Sequence, residues 1–135
     1  MDARTEQKGM VAHMTEVTIT IGSYPEQAGG TLTRFQLVVE QQPAGNNSGT
    51  VHAAESTLLR TLCCQLARAD ARLLQDMAVD GVAGSGWCAV SAVPTHDGYE
   101  YVRGAFELAV MGFCLLAEQF PRQVCVRLET EEQCA

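Results

Sequence analysis

The side chains in this sequence that could do covalent or acid–base chemistry are cysteines and histidines. Cys88 lies in an apolar segment, and His96 and Asp97 follow it in the next loop. A thiol nucleophile needs a base beside it and a carboxylate that orients the base. These three residues, with His52 as a second possible base, could therefore form a small cysteine- and histidine-dependent enzyme or a small-ligand site.

The structural interpretation of the same residues is favoured. His96 and Asp97 are neighbours in sequence, which normally directs their side chains apart, and triads are recognised by a geometry that this spacing does not imply. Cys88 is then a core thiol, because free cysteine behaves as a small buried hydrophobe. His96 becomes a loop residue and Asp97 a helix cap.

Neither a metal site nor a cofactor site is predicted. The six cysteines include no C-x-x-C pair, no H-x₃-H is present, and Cys63 and Cys64 would project about 100° apart on a helix. Glycine-rich residues 81–86 follow a helix and precede a strand. Phosphate-binding loops have the opposite polarity, running from a strand into a helix N-terminus.

Composition narrows the class of partner. The chain has 135 residues, 47% of them hydrophobic, and a net charge of −7, as expected of one globular domain whose charge repels nucleic acid and anionic membranes. The first residues are polar and lack the apolar core of a secretory signal. We therefore expect a cytoplasmic protein with reduced thiols, organised as a disordered leader (1–13), one domain (14–130) and an acidic tail (131–135).

One segment, residues 99–120, is predicted to be a helix with two apolar faces, capped by Asp97 and Glu100 and ended by Pro121. The face that should lie on a sheet carries Val102, Phe106, Ala109, Phe113, Leu116 and Phe120. The opposite face carries Gly104, Leu108, Met111 and Leu115. Leaving its large side chains in water forgoes roughly 1.5–3 kcal/mol each. We expect the other helix to cover part of this second face and a second copy of the chain to cover the rest, so that these four residues form a homodimer interface.

The remaining elements are predicted from hydrophobic periodicity. Alternation over residues 15–22 and 31–40 indicates an antiparallel hairpin, and residues 87–93 and 123–129 indicate two further strands. Residues 50–79 have a helical stripe, with a possible break near 67–71: Val51, Leu58, Leu62, Leu66, Ala69, Leu73 and Met77. The order ββαβαβ predicts an α+β fold with a single four-stranded mixed sheet, two helices packed in layers, and the last two strands parallel.

The absence of a catalytic signature favours a non-enzymatic protein–protein interaction module. Small acidic bacterial or phage-type inhibitors, immunity proteins and accessory proteins have this character, and a basic, nucleic-acid-handling protein would suit the charge. The candidate partner-binding residues combine an aromatic in a loop, two arginines on a helix and an acidic cluster: Tyr24, Arg68, Arg72, Glu129, Glu131 and Glu132.

Overall fold

A five-stranded mixed sheet with two helices forms the fold. The computed structural model describes residues 15–26, 29–41, 49–74, 77–81 and 86–130, so the predicted leader and tail lie outside the described residues. In chain order the elements are β1 (Thr15–Pro25), β2 (Thr31–Gln41), α1 (Gly49–Arg68), β3 (Ala78–Gly81), β4 (Trp87–Ala92), α2 (Tyr99–Gln119) and β5 (Val124–Thr130). The predicted α+β class with two helices and a mixed sheet is confirmed.

The strand order in the sheet is β3-β4-β2-β1-β5. The predicted β1–β2 hairpin is antiparallel, β2 also pairs antiparallel with β4, and β5 joins the far side of β1 in parallel. The last two strands therefore run in the same direction, as expected. They are not neighbours, because β2 and β1 lie between them.

The predicted number of strands and the predicted length of the first helix are wrong for one reason. The helix expected over residues 50–79 ends at Arg68, a 3₁₀ turn follows at Asp70–Arg72, and Ala78–Gly81 forms the edge strand β3 against β4. All four residues of β3 are exposed. A short, exposed edge strand has no buried face, so it leaves no alternating pattern in the sequence.

One side of the sheet is covered by both helices. Alternate strand residues, among them Val17, Leu37, Val39 and Val90, are buried in the same core as the helical side chains. The core face of α2 is the predicted one, since Val102, Phe106, Ala109 and Phe113 are buried. Phe106 stacks on Phe35 of β2 with ring centroids 5.4 Å apart.

The second apolar face of α2 lies in solvent in the single chain. Leu108, Met111 and Leu115 have exposed fractions of 58%, 58% and 54%. Helix α1 does lie beside α2, but it meets Gly112 through Leu58, and Tyr101 donates a hydrogen bond to the Gln65 carbonyl (3.2 Å). The expected cover by α1 therefore does not reach the three large side chains. Cover by a second copy stays a prediction.

The predicted capping of α2 is wrong. Gly98 precedes the helix and no side chain caps it. The Asp97 carboxylate instead accepts a hydrogen bond from the Thr95 hydroxyl (3.0 Å), and Glu100 pairs with Arg103 (3.4 Å). None of the helices in the described ranges is long and apolar enough to cross a membrane.

Candidate functional site

Three polar side chains meet where β2 ends and α1 begins. The Gln41 amide Nε2 donates a hydrogen bond to Glu55 Oε1 (2.6 Å) and lies 3.4 Å from His52 Nδ1. Gln41 is the last residue of β2, and His52 and Glu55 lie in the first two turns of α1. We call Gln41, His52 and Glu55 the polar cluster.

Glu55 is the unusual member of the polar cluster. Its side chain is fully buried, with 0% of its surface exposed. Among the described residues, its Oε2 atom has no hydrogen-bond partner. An unpaired buried polar atom costs roughly 1–3 kcal/mol, so a carboxyl group at this position weakens the fold. Such a group is retained more readily for function than for stability.

Local structure explains why Glu55 is inside. It lies one turn after Val51 and one turn before Leu59, and both neighbours are buried. The apolar stripe of α1 therefore carries the carboxyl group into the core. The backbone N–H of Gln41 donates to the Gly86 carbonyl (2.7 Å), which fixes the end of β2 against the start of β4.

Trp87 is an exposed aromatic residue at the same end of the sheet. It lies opposite Glu40 in the β2–β4 pair, and 44% of its surface is exposed. Because successive strand residues point to opposite faces, Trp87 lies on the sheet face away from the helices, whereas Gln41 lies on the helix face. An exposed tryptophan is a common anchor in protein interfaces.

The structure does not bring the predicted catalytic residues together. Cys88 is 4% exposed and pairs with Val39 and Gly81 near the start of β4. His96 lies beyond the other end of that strand, where its Nε2 is 3.8 Å from Glu26 Oε1. The described histidine at the Cys88 end of the sheet is His52 rather than His96.

The thiols of Cys63 and Cys88 do not have the environment of a nucleophile. Burial raises the pKa of Cys63 and of Cys88, and the nearby Asp80 raises that of Cys88 further. A raised pKa keeps a thiol protonated at neutral pH, and the thiolate is the reactive form. Within the described ranges, no hydrogen bond joins a cysteine to His52 or His96.

The predicted partner-binding residues lie toward the end of the sheet opposite the polar cluster. Tyr24 is a half-buried residue of β1 rather than a loop residue. The Arg72 guanidinium lies 5.6 Å from the centre of the Tyr101 ring. Arg68 ends α1, and Glu129 is exposed on β5 opposite Thr20. Glu131 and Glu132 lie outside the described residues.

The polar cluster was missed by sequence reasoning although a signal was present. At about 100° per residue, Glu55 falls between Val51, Leu62 and Leu66, in the middle of the apolar stripe. A carboxyl group in that position indicates either a buried partner or a site. In the part of the chain that the structure describes, no three His, Cys, Asp or Glu side chains are placed to bind a metal ion.

At the level of sequence, no family model matches the chain, and no curated protein matches it. Several solved structures share its architecture. SMU.848 from Streptococcus mutans matches with a TM-score of 0.56 and 23% identity, over 87% of this chain and 99% of that chain.

The second solved structure is the essential ribosomal processing protease Prp from S. aureus in complex with a covalently linked product peptide. It matches with a TM-score of 0.51 and 11% identity, over 82% of this chain and 98% of that chain. At these identities the similarity is one of fold, and it extends over nearly the whole of both solved chains.

Proposed function

We propose that this chain is an acidic, non-hydrolytic protein-binding domain built on the fold of a ribosomal processing protease, and that its partner is a segment of a basic ribosomal protein. The observation that carries the proposal is the shared fold over 98% of the protease chain, combined with the burial that keeps the Cys63 and Cys88 thiols protonated. The fold supports binding of a protein segment. The thiols argue against cleavage of that segment.

Charge supports the choice of partner. The chain carries a net charge of −7. Proteins that bind ribosomal RNA need arginine and lysine to neutralise its phosphates, so they present positive segments before they assemble. An acidic domain attracts such a segment and repels the RNA itself. An accessory protein of the ribosome fits the sequence-based prediction of a nucleic-acid-handling partner and of a cytoplasmic location.

We assign the contact to the polar cluster. His52 and Gln41 are half-buried and so reach the surface, where they offer polar groups to a peptide backbone. Glu55 is fully buried and acts as a positioning residue, because its Oε1 accepts the hydrogen bond that orients the Gln41 amide. A protein-binding role also explains why a destabilising buried carboxyl group is retained at this end.

The test is binding and cleavage measured on one sample. Ribosomal proteins are acid-extracted from bacterial ribosomes, freed of RNA and passed over the immobilised full-length chain, and the retained proteins are identified by their intact masses. We expect one ribosomal protein, or a few, to be retained with unchanged mass. The variant Gln41→Ala should weaken retention about tenfold, whereas Thr57→Ala, an exposed position on α1, should leave it unchanged.

Three results contradict the proposal. Retention of every basic protein, including cytochrome c added as a control, indicates non-specific charge attraction. A shortened ribosomal protein whose production stops in the Cys88→Ala variant indicates a cysteine protease. No retention at low ionic strength indicates that the partner belongs to another class of protein.

A further inference from the structure

A second surface, far from the polar cluster, has the shape of a docking groove. It lies between α2 and the middle of β1 and β2, beside the end of β5, and has a volume of about 490 Å³. The lining is mainly apolar and includes Ile19, Ile21, Phe35, Val110, Met111 and Leu128. Leu128 is 68% exposed although it lies opposite the buried Ile19, so the sheet is left uncovered at this corner.

The flank of the groove is acidic. Glu107 and Arg103 line it, and Glu100 and Glu118 follow the same flank of α2 at helical spacing. Arg103 is held between Glu107 (2.8 Å) and Glu100 (3.4 Å). Along this flank, three glutamates and one arginine give a net negative charge.

That charge decides among possible occupants. A second copy of the chain docked symmetrically in the groove would bring two acidic flanks together, and like charges in contact cost binding energy. A fatty acid would carry its own carboxylate toward Glu107. A segment with a large apolar side chain and neighbouring lysine or arginine residues satisfies both the lining and the flank.

We propose that this groove, lined by Ile19, Ile21, Phe35, Val110, Met111 and Leu128, is a second docking site for the partner and takes an apolar side chain of a basic segment. The inference rests on the proposed protein-binding function, but it concerns another surface. The two sites are separate, since Gln41 pairs with Thr15 at the start of β1 and the groove begins further along β1, at Ile19. One extended partner chain could contact both.

Two exposed cysteines allow a test with an internal control. Cys114 lines the groove, whereas Cys64 is exposed on α1. The full-length chain is alkylated with iodoacetamide in the presence of the peptides KLKFKLK, ELEFELE or KSKSKSK, and the rate at each cysteine is followed by peptide-mapping mass spectrometry. KLKFKLK should slow alkylation of Cys114 at least fivefold and leave Cys64 unchanged. The other two peptides should change neither rate.

Charge variants test the contribution of the acidic flank to peptide binding separately from that of the apolar lining. The double variant Glu107→Gln, Glu118→Gln should raise the concentration of KLKFKLK needed for half-protection three- to tenfold and weaken its dependence on salt. Glu40→Gln removes one carboxylate on the open face of β2 and should leave that concentration unchanged.

Other outcomes overturn the groove proposal. Equal protection by KLKFKLK and ELEFELE means that the flank selects nothing, and protection of both cysteines means that binding is unspecific. Protection of Cys114 that rises with protein concentration, without peptide and also in the variant Leu108→Asp, assigns the groove to a second copy. None of these results depends on ribosomal proteins or on Gln41, so the groove and the proposed function can fail separately.

Discussion

Burial controls the chemistry of individual thiols in this molecule. Cys63 and Cys88 have raised pKa values because the folded chain removes them from water, whereas Cys64 and Cys114 are exposed. A raised pKa in the folded state means that folding favours the protonated thiol. At the residue scale, the cysteines in the core stabilise the fold as small apolar groups and only in their neutral form.

This linkage predicts how stability depends on pH. The ordinary pKa of a thiol is about 8.5–9, so neither state loses these protons at neutral pH and the thiols leave stability unchanged there. Above that value the unfolded chain releases the protons first, and the free energy of unfolding should fall as pH rises toward the higher folded values. Urea unfolding between pH 7 and 10.5 should show this fall, and the double variant Cys63→Ala, Cys88→Ala should reduce its slope. An unchanged slope in that variant would assign the fall to other groups.

The candidate site shows what single residues reveal before a structure is known. Cys88 was expected in the core and lies there, because an apolar neighbourhood in sequence usually becomes one in space. The burial of Glu55 is less evident in the sequence. Its immediate neighbours do not indicate it, and only its angular position on the helix places its side chain in the core. Its approach to Gln41 could not be predicted, because that contact joins two elements across a loop.

At the scale of elements, two glycines of the α2 region have opposite roles. A Cβ atom on Gly98 would overlap the backbone oxygen and the Cβ of Arg72, whereas a Cβ on Gly104 would meet nothing within 4 Å. Gly98 therefore allows the start of α2 to pack against the turn that ends α1. Gly104 lies on the second apolar face of α2, and packing does not require a glycine there.

We expect opposite effects from the same substitution at these positions. Gly98→Ala should lower the free energy of unfolding by about 1–3 kcal/mol, because packed backbone must move apart. Gly104→Ala should raise it by about 0.5–1 kcal/mol, because alanine loses less conformational entropy in a helix. Urea unfolding of both variants beside the parent chain measures the difference. A Gly98→Ala variant with unchanged stability would mean that Arg72 can move away from the added methyl group at little cost in free energy.

The elements themselves were predictable wherever one of their faces is buried. Residues 15–22 alternate, and their strand forms; α2 was expected over 99–120 and runs over Tyr99–Gln119. The predicted first helix is too long because Leu73 and Met77 continue its helical spacing. Leu73 instead pairs with Pro94 in an isolated bridge, and Met77 packs against the core from the loop before β3. The core thus uses apolar residues without the helix that their spacing suggested.

At the scale of the whole molecule, one side of the sheet holds the core, and two separate places on the sheet hold the candidate binding surfaces. The polar cluster lies where β2 ends, and the apolar groove lies along the middle of β1, beside the end of β5. Net charge and fold class followed from the sequence, whereas this arrangement did not, because it depends on strand order. The exposed face of α2 is a third surface, which adjoins the groove at Met111.

The exposed face of α2 leads to the last prediction, a homodimer through Gly104, Leu108, Met111 and Leu115. Three large apolar side chains, each more than half exposed, favour association, and Gly104 has open space that lets a second backbone approach. The area of this patch is small compared with the roughly 800 Å² that each partner buries in a stable interface. We therefore expect a weak dimer that dissociates on dilution.

Sedimentation equilibrium from 5 to 200 μM should show an average mass that rises with concentration toward two chains. Leu108→Asp should abolish this rise, because it places a charge at the centre of the contact. Leu128→Asp changes a still more exposed leucine in the groove and should preserve the dimer. A mass of one chain throughout the range, with the Leu108→Asp variant indistinguishable from the parent, would rule out association through α2. The three side chains would then be available to the same partner that the groove receives.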